Sequence, residues 1–403
     1  MSEVKDLPKK ILIIDKEANV ASKITDPFDK IGIQVRVAND FQTAKYRFDK
    51  EFYKVVFISA KFEEHDALDL IQRWRKHEVL EKRHAAFVIL SQYEVSKDKV
   101  ALIEEISGVR ILAKPLAFGS SLNVLKECMK YTREKLQKES VQKKIIEQFD
   151  DGEISVSAAI ALTYTSKDHL QDYFYPLMVD LHKIDESLPE AKNLLENAPS
   201  NALEPLKMYN LKGEVYLKLG EHKNAKECFL KADALAPRNM ERINKLVDTF
   251  LELKQPDMAI MRQKELLSMS PDNKDLKFDM FKKLEKYGYS KQAVEFCREV
   301  SNPLEVVKYF NNKGVSLSKS GSPAEAISEY ERALSYFPKS KKNYLIHYNI
   351  ALSLVKTKNK KNLKVALVQV EKSLNLKTNF FKAQDLKDKI LEISKNVGIL
   401  QAP

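Results

Sequence analysis

The sequence predicts a chain in two parts: an α/β domain on a doubly wound, five-stranded parallel sheet, then an all-α superhelical solenoid of paired helices. Two observations carry this. Five short apolar runs, Lys10 to Asp15, Gln34 to Ala38, Val55 to Ser59, Ala86 to Ser91 and Val109 to Lys114, alternate with helical patterns near the N-terminus. Farther on, Ala225, Ala259 and Ala293 recur at intervals of 34 and Ala326 follows 33 later, while Pro271 lies 34 beyond Pro237. Self-similarity at such a period marks a helical repeat array.

The first run, Lys10-Ile11-Leu12-Ile13-Ile14, is apolar throughout and ends in an acid, as a buried parallel strand does. Helical patterns fall at about 17–31, 41–50, 66–78, 96–107 and 119–137. In an open parallel sheet the functional crevice lies at the carboxyl ends of the strands. The residues there are Asp15 with Lys16, Ser59, Ser91, and Lys114 followed by Pro115.

From Ser120 to Gln148 the pattern is continuously helical, with Leu122, Leu125, Met129, Leu136, Ile145 and Phe149 on a loose apolar stripe, and it stops at the turn signal Asp150-Asp151-Gly152. The stripe breaks around Thr132 and Glu139, which weakens a coiled-coil reading. Dimerisation through the N-terminal domain or this connector is left open. Residues 136–153 read as connector and 154–205 as irregular helices. Ala191 lies 34 before Ala225, so Tyr173 to Pro199 reads as a degenerate repeat, with Tyr173, Phe174 and Tyr175 packing on the next one.

The clear repeats begin at 206–239. There Gly213 and Ala225 let two helices approach, Tyr216 and Phe229 fill the space between them, and Pro237 ends the second helix. Further units are 240–273 (Phe250, Ala259, Pro271), 274–306 (Leu284, Ala293), 307–340 (Phe310, Gly314, Leu317, Ala326, Tyr330, Ala333, Pro338) and 344–379 (Ala351, Leu354, Ala366). One helix pair cannot bury its own apolar face, so pairs must stack, and the array needs a cap with a polar outer side. Residues 380–396 supply one, with Phe381, Leu386, Ile390 and Ile393 inward and Lys382, Lys387, Asp388 and Lys395 outward.

Composition narrows the function. With 403 residues, 44% hydrophobic and 31% charged, the chain resembles soluble globular proteins and is long enough for several cores. No run approaches the roughly 18–20 apolar residues of a membrane span. Met1 to Lys10 is charged and lacks an apolar signal region, which predicts a cytoplasmic location. Cys128, Cys228 and Cys297 are odd in number and far apart, so they read as buried small residues rather than a disulfide framework. The 7 histidines show no metal spacing, and with only 10 glycines there is no phosphate-cradling loop. No metal, no cofactor and no enzyme chemistry are therefore expected.

The net charge of +11 is concentrated. From Val307 onward there are 18 Lys and Arg against 7 Asp and Glu, so the preceding residues balance at 50 against 50. Lys356, Lys358, Lys360, Lys361 and Lys364 cluster around one inter-helix turn. Such a patch suits a solvated surface or the rim of a contact with an acidic protein. It suits nucleic acid less, since arginine and interleaved aromatics are missing.

With these residues in view, the stretch 8–135 resembles a response-regulator receiver domain, of flavodoxin-like fold, and 206–379 resembles tetratricopeptide repeats. The receiver resemblance rests on Ile13-Ile14-Asp15-Lys16-Glu17, Tyr53 to Ile71, Ile89-Leu90-Ser91 and Lys114-Pro115. It implies that Asp15 is the first metal-binding acid, Ser91 the phosphate-contacting hydroxyl and Lys114 the lysine that pairs with the phosphoryl group. Lys16 stands where the second acid belongs, Ser59 where the phospho-acceptor aspartate belongs, and Ile111 in place of the aromatic switch. Magnesium needs hard oxygen ligands, usually carboxylates, and a serine cannot form an acyl phosphate. The expectation is a pseudo-receiver that retains the fold and has lost phosphorylation, with Lys16 and Lys114 both able to pair with Asp15. Glu63 and Asp66 are nearby acids that could accept a phosphoryl group instead.

The repeat resemblance implies a concave groove lined by the first helix of each pair: Asn210, Glu214, Asn244, Asp248, Phe278, Lys282, Asn311, Val315, Tyr348 and Leu352. Such a groove suits an extended peptide or a partner helix. No full lysine–asparagine clamp of the kind some relatives use for a C-terminal carboxylate is evident. The whole chain resembles bacterial receiver-plus-repeat regulators. That implies a non-enzymatic adaptor or scaffold in two-component signalling, motility or cell polarity, with a signalling or motility protein as partner. The alternatives are a phosphorylation-responsive regulator whose output is the groove, and a nucleic-acid-binding protein using the basic end.

Overall fold

The computed structural model describes residues 7–17, 25, 27–155, 159, 174–271, 273–300, 303–357 and 359–396. Most of the helix expected at 17–31 lies outside the described residues, as do Tyr173 and Lys358. The chain divides into two compact units, residues 1–270 and 271–403.

The first unit opens with a five-stranded parallel sheet of strands β1 (Lys10–Ile14), β2 (Gln34–Ala38), β3 (Val55–Ser59), β6 (Ala86–Ser91) and β7 (Val109–Ala113), in the order β2-β1-β3-β6-β7. The central strands β1, β3 and β6 are buried on both faces because helices cover both. Alternate residues feed two cores. Leu12, Ile14, Val56, Ile58 and Phe87 meet Phe48 of helix α1 (Phe41–Lys50) and Ile71 and Trp74 of α2 (Ala67–Trp74). Ile11, Ile13, Val55, Phe57 and Val88 meet Leu125, Cys128 and Met129 of the opposite face. A small hairpin that the sequence pattern did not predict, β4 (Lys61–Phe62) with β5 (His65–Asp66), sits between β3 and α2. Among the described residues this domain also carries α3 (Leu80–Arg83) and α4 (Lys97–Ile106).

Helix α5 (Phe118–Asp150) serves two cores in turn. Its first half packs on the sheet, and Ile145 joins Ala159, Leu177, Met178 and Leu181 in a separate cluster. Where the stripe breaks, Thr132 bonds back to the Cys128 carbonyl at 2.9 Å and Glu139 lies 2.7 Å from His84. Helices α6 (Phe174–Ile184) and α7 (Leu188–Glu196) lead into two helix pairs, α8 (Pro205–Lys218) with α9 (His222–Leu235) and α10 (Met240–Glu252) with α11 (Pro256–Met269).

The second unit continues with α12 (Lys274–Lys286) and α13 (Ser290–Val300), α14 (Pro303–Lys319) and α15 (Pro323–Tyr336), α16 (Asn343–Lys356) and α17 (Lys360–Leu376), and closes on α18 (Phe381–Asn396). The reason for glycine is the same in both units. A Cβ on Gly213 would run into the ring of Phe229, and one on Gly314 into the ring of Tyr330. Bare backbone at those two points is what lets each second helix approach its first.

Candidate functional site

The register of the sheet builds the first candidate site. Ile14 is level with Ile58, so Asp15 lies beside Ser59 as the two strands end. Asp15 is only 2% exposed. Its Oδ2 accepts the Ser59 hydroxyl at 2.6 Å and faces the Lys114 ammonium at 2.6 Å, while Oδ1 accepts the Glu17 backbone N–H at 2.9 Å. Both carboxylate oxygens are thus engaged, and the buried charge is matched by one cation. These groups line a cavity of about 600 Å³ at the strand ends.

Two predicted members stand apart. Ser91 donates its hydroxyl to the Tyr93 carbonyl at 2.7 Å and so belongs to its own loop rather than to the Asp15 cluster. Lys16 was expected to pair with Asp15 alongside Lys114. It is exposed, and among the described residues it forms no ion pair with Asp15, because the next residue along an ended strand points away from the buried one. Asp66, one of the alternative acids, caps α2 by accepting the Leu68 N–H at 3.0 Å and pairs with Lys99 at 2.6 Å. The donor set does not fit a magnesium ion. Of the three expected carboxylate positions only Asp15 carries one, and it is already held by Lys114 and Ser59. Among the described residues no three His, Cys, Asp or Glu side chains converge as metal ligands.

The second site was not legible in the sequence. Helices α2 and α4 of the sheet domain meet the first two helix pairs through polar side chains. Glu105 on α4, 10% exposed, accepts at one oxygen from Asn210 Nδ2 and from Arg242 Nη1, each at 2.7 Å. Arg242 is 2% exposed and is further held by Asp233 at 3.5 Å and by the Ala236 carbonyl. On α2, Gln72 clasps the turn before α10, donating to the Arg238 carbonyl at 3.1 Å and accepting from the Met240 N–H at 2.8 Å. Beside it Asp69 pairs with Arg238 at 2.8 Å. Burial pushes the Asp69 carboxyl up to about 6, against the opposing pull of Arg238.

The predicted groove residues therefore divide. Asn210 is turned to the sheet domain, and Glu214 pairs with Lys245 and lies 3.7 Å from Lys183. Asn244 is exposed and Asp248 half-buried. In the second unit Phe278 stacks on Phe281 at 5.7 Å, with Lys282 over it at 5.4 Å and paired with Asp279. Asn311 accepts from Asn349 at 2.7 Å, and Tyr348 meets Phe380 edge-on at 5.2 Å. Val315 and Leu352 are half-buried. Of the lysine patch, Lys356, Lys360, Lys361 and Lys364 are exposed, and Lys356 reaches the Ser318 hydroxyl at 3.2 Å.

The tetratricopeptide-repeat family profile matches residues 206–239 and 307–340. Among solved structures the chain is similar to the receiver domain of Francisella response regulator 1452, at 24% identity over 31% of this chain and 99% of that one, with a TM-score of 0.27. It is similar to a tetratricopeptide repeat protein from Parabacteroides merdae, at 14% identity over 63% of this chain and 98% of that one, TM-score 0.33. A structure titled adenylate cyclase from Rhodopirellula baltica also aligns, at 18% identity over 34% and 99%, TM-score 0.28. A search of curated proteins finds no match. The fold is a doubly wound α/β domain followed by paired helices, and two of the pairs match the tetratricopeptide-repeat profile. No helix among the described residues is long and apolar enough to cross a membrane.

Proposed function

We propose that this chain is a non-enzymatic adaptor in bacterial signalling, which holds protein partners along its repeats and uses its receiver-like domain without phosphorylation. The observation that carries the reading is the closed Asp15 cluster. A phosphorelay needs a carboxylate nucleophile to form an aspartyl phosphate. Here the acceptor position is Ser59, and its hydroxyl is spent on Asp15, whose charge is already answered by Lys114. The polar docking of α2 and α4 onto the repeats supports a domain that acts as a structural part of the arm. The setting, two-component, motility or cell-polarity, and the cytoplasmic location belong to the same proposal.

The test exposes the purified full-length chain to acetyl phosphate with magnesium and reads its intact mass. No adduct is expected. An acid-stable adduct that hydroxylamine removes would overturn the reading, because it would place an acyl phosphate on a carboxylate of the receiver-like domain.

A further inference from the structure

Arg242 is buried, and its position does not depend on Glu105 alone. Asp233, the Ala236 carbonyl and Asn210 Oδ1 at 3.4 Å hold the guanidinium within the repeats. With Asn210 Nδ2 it presents two converging N–H donors from the first helices of two successive pairs, the helices that line a repeat groove. This is a notch for one carboxylate. Its occupant is Glu105, but the fit is incomplete: Glu105 Oε1 takes both donors, while Oε2 is buried with no hydrogen-bond partner among the described residues.

We propose that this notch is the carboxylate-recognition site of the groove, that Glu105 is its built-in ligand, and that an acidic segment of a protein partner binds there in place of α4. The proposal rests on the adaptor reading and names the chemistry of the partner: a helix or strand that brings an Asp or Glu side chain. A competitor able to satisfy both carboxylate oxygens would hold an advantage over Glu105, because an unpaired buried oxygen weakens the internal contact. In the closed state the apparent affinity for such a segment is reduced by the fraction of molecules that are open.

The test uses the full chain and, as probe, a labelled peptide with the chain's own sequence from Lys97 to Ser107. In the triple variant Asp69→Ala, Gln72→Ala, Glu105→Ala the three side chains that hold the repeats are removed from the surface of the sheet domain. Faster hydrogen exchange in α8 and α10 beyond Met240, whose N–H loses its Gln72 acceptor in any case, reports the opening. The opened chain is expected to bind the peptide at least about tenfold more tightly than the wild type, since the internal competitor is gone. Replacing the glutamate of the peptide that corresponds to Glu105 by glutamine, or adding Arg242→Met to the triple variant, is expected to abolish the gain. A triple variant that stays closed, one that opens without binding the peptide more tightly, or binding indifferent to that glutamate would each overturn the proposal. A glutamine replacement at 105 alone, which keeps the shape of the side chain, serves as the folding control. Acetyl phosphate labelling is independent of this notch, so failure of the adaptor reading and failure of the notch are separately visible.

Discussion

Two buried carboxylates, Asp15 and Glu105, are held in chemically parallel ways with different consequences. Each faces one cation and one neutral side-chain donor: Lys114 and Ser59 for Asp15, Arg242 and Asn210 for Glu105. Asp15 uses both of its oxygens, all within one sheet and the loop after its first strand. Glu105 uses one, and its donors come from helices more than a hundred residues away. The first arrangement finishes a domain. The second joins two and leaves Glu105 Oε2 without a partner among the described residues, as Glu285 Oε1 is left within the repeats.

The largest expected effect comes from breaking the joint. Arg242→Met leaves Glu105 buried without a cation and deprives Asp233 of one of its two arginines, Arg262 at 3.1 Å remaining. Removing one partner of a buried pair costs about 3–5 kcal/mol, whereas replacing both costs much less. The urea midpoint of the first unit should therefore fall in Arg242→Met and largely recover when Glu105→Gln is added. A double variant no more stable than the single one would mean that Arg242 matters for its packing instead.

Lys114→Met should cost less, about 1.5 to 3 kcal/mol, the range for losing a hydrogen bond to a charged group. Asp15 keeps the Ser59 hydroxyl and the Glu17 N–H, and the strand-end cavity admits water to the remaining charge. Adding Asp15→Asn should restore most of the loss. If Lys114→Met proved the more damaging of the two substitutions, the contrast between a finished site and a joint would be reversed.

The strand-end site was legible because it follows from local rules. An apolar run that ends in an acid is a buried parallel strand, and successive strand ends in a doubly wound sheet share one crevice, so Asp15, Ser59 and Lys114 had to be neighbours. Which hydroxyl would turn inward was not legible, and Ser91 turned to its own loop because the Tyr93 carbonyl lies within reach. The helix pairs were equally readable from Gly213 and Gly314, whose period reflects close contact with Phe229 and Tyr330. The joint was not. Glu105, Gln72 and Asp69 look like ordinary polar residues on amphipathic helices, and only the docking of two separately patterned regions tells them from the solvated face. One signal was present: Arg242 falls on a first helix between the apolar residues Met240 and Ile243, both of them buried.

Asp69 sharpens the comparison further, because it sits on the joint and responds to pH. Burial raises its carboxyl to about 6 from an ordinary value of 3.8. Geometry pulls the other way, since Arg238 is 2.8 Å distant, but that arginine is half-exposed and water screens its charge. Burial therefore wins, and the sign follows. The folded chain binds this proton more tightly than the unfolded one, so the stabilisation is complete below about pH 4 and is lost as the pH rises through about 6. Between pH 4.5 and 7 the loss amounts to about 2 kcal/mol at most, at 1.36 kcal/mol per unit. Asp69→Asn keeps an oxygen for Arg238 and removes the titration. Relative to the wild type, its urea midpoint should rise as the pH is raised from 4.5 to 7, and hydrogen exchange at Met240 should slow in the same interval. A wild type whose joint tightened over that interval would show the Arg238 pair outweighing burial, and would make Asp69 a partner of the same kind as Asp15.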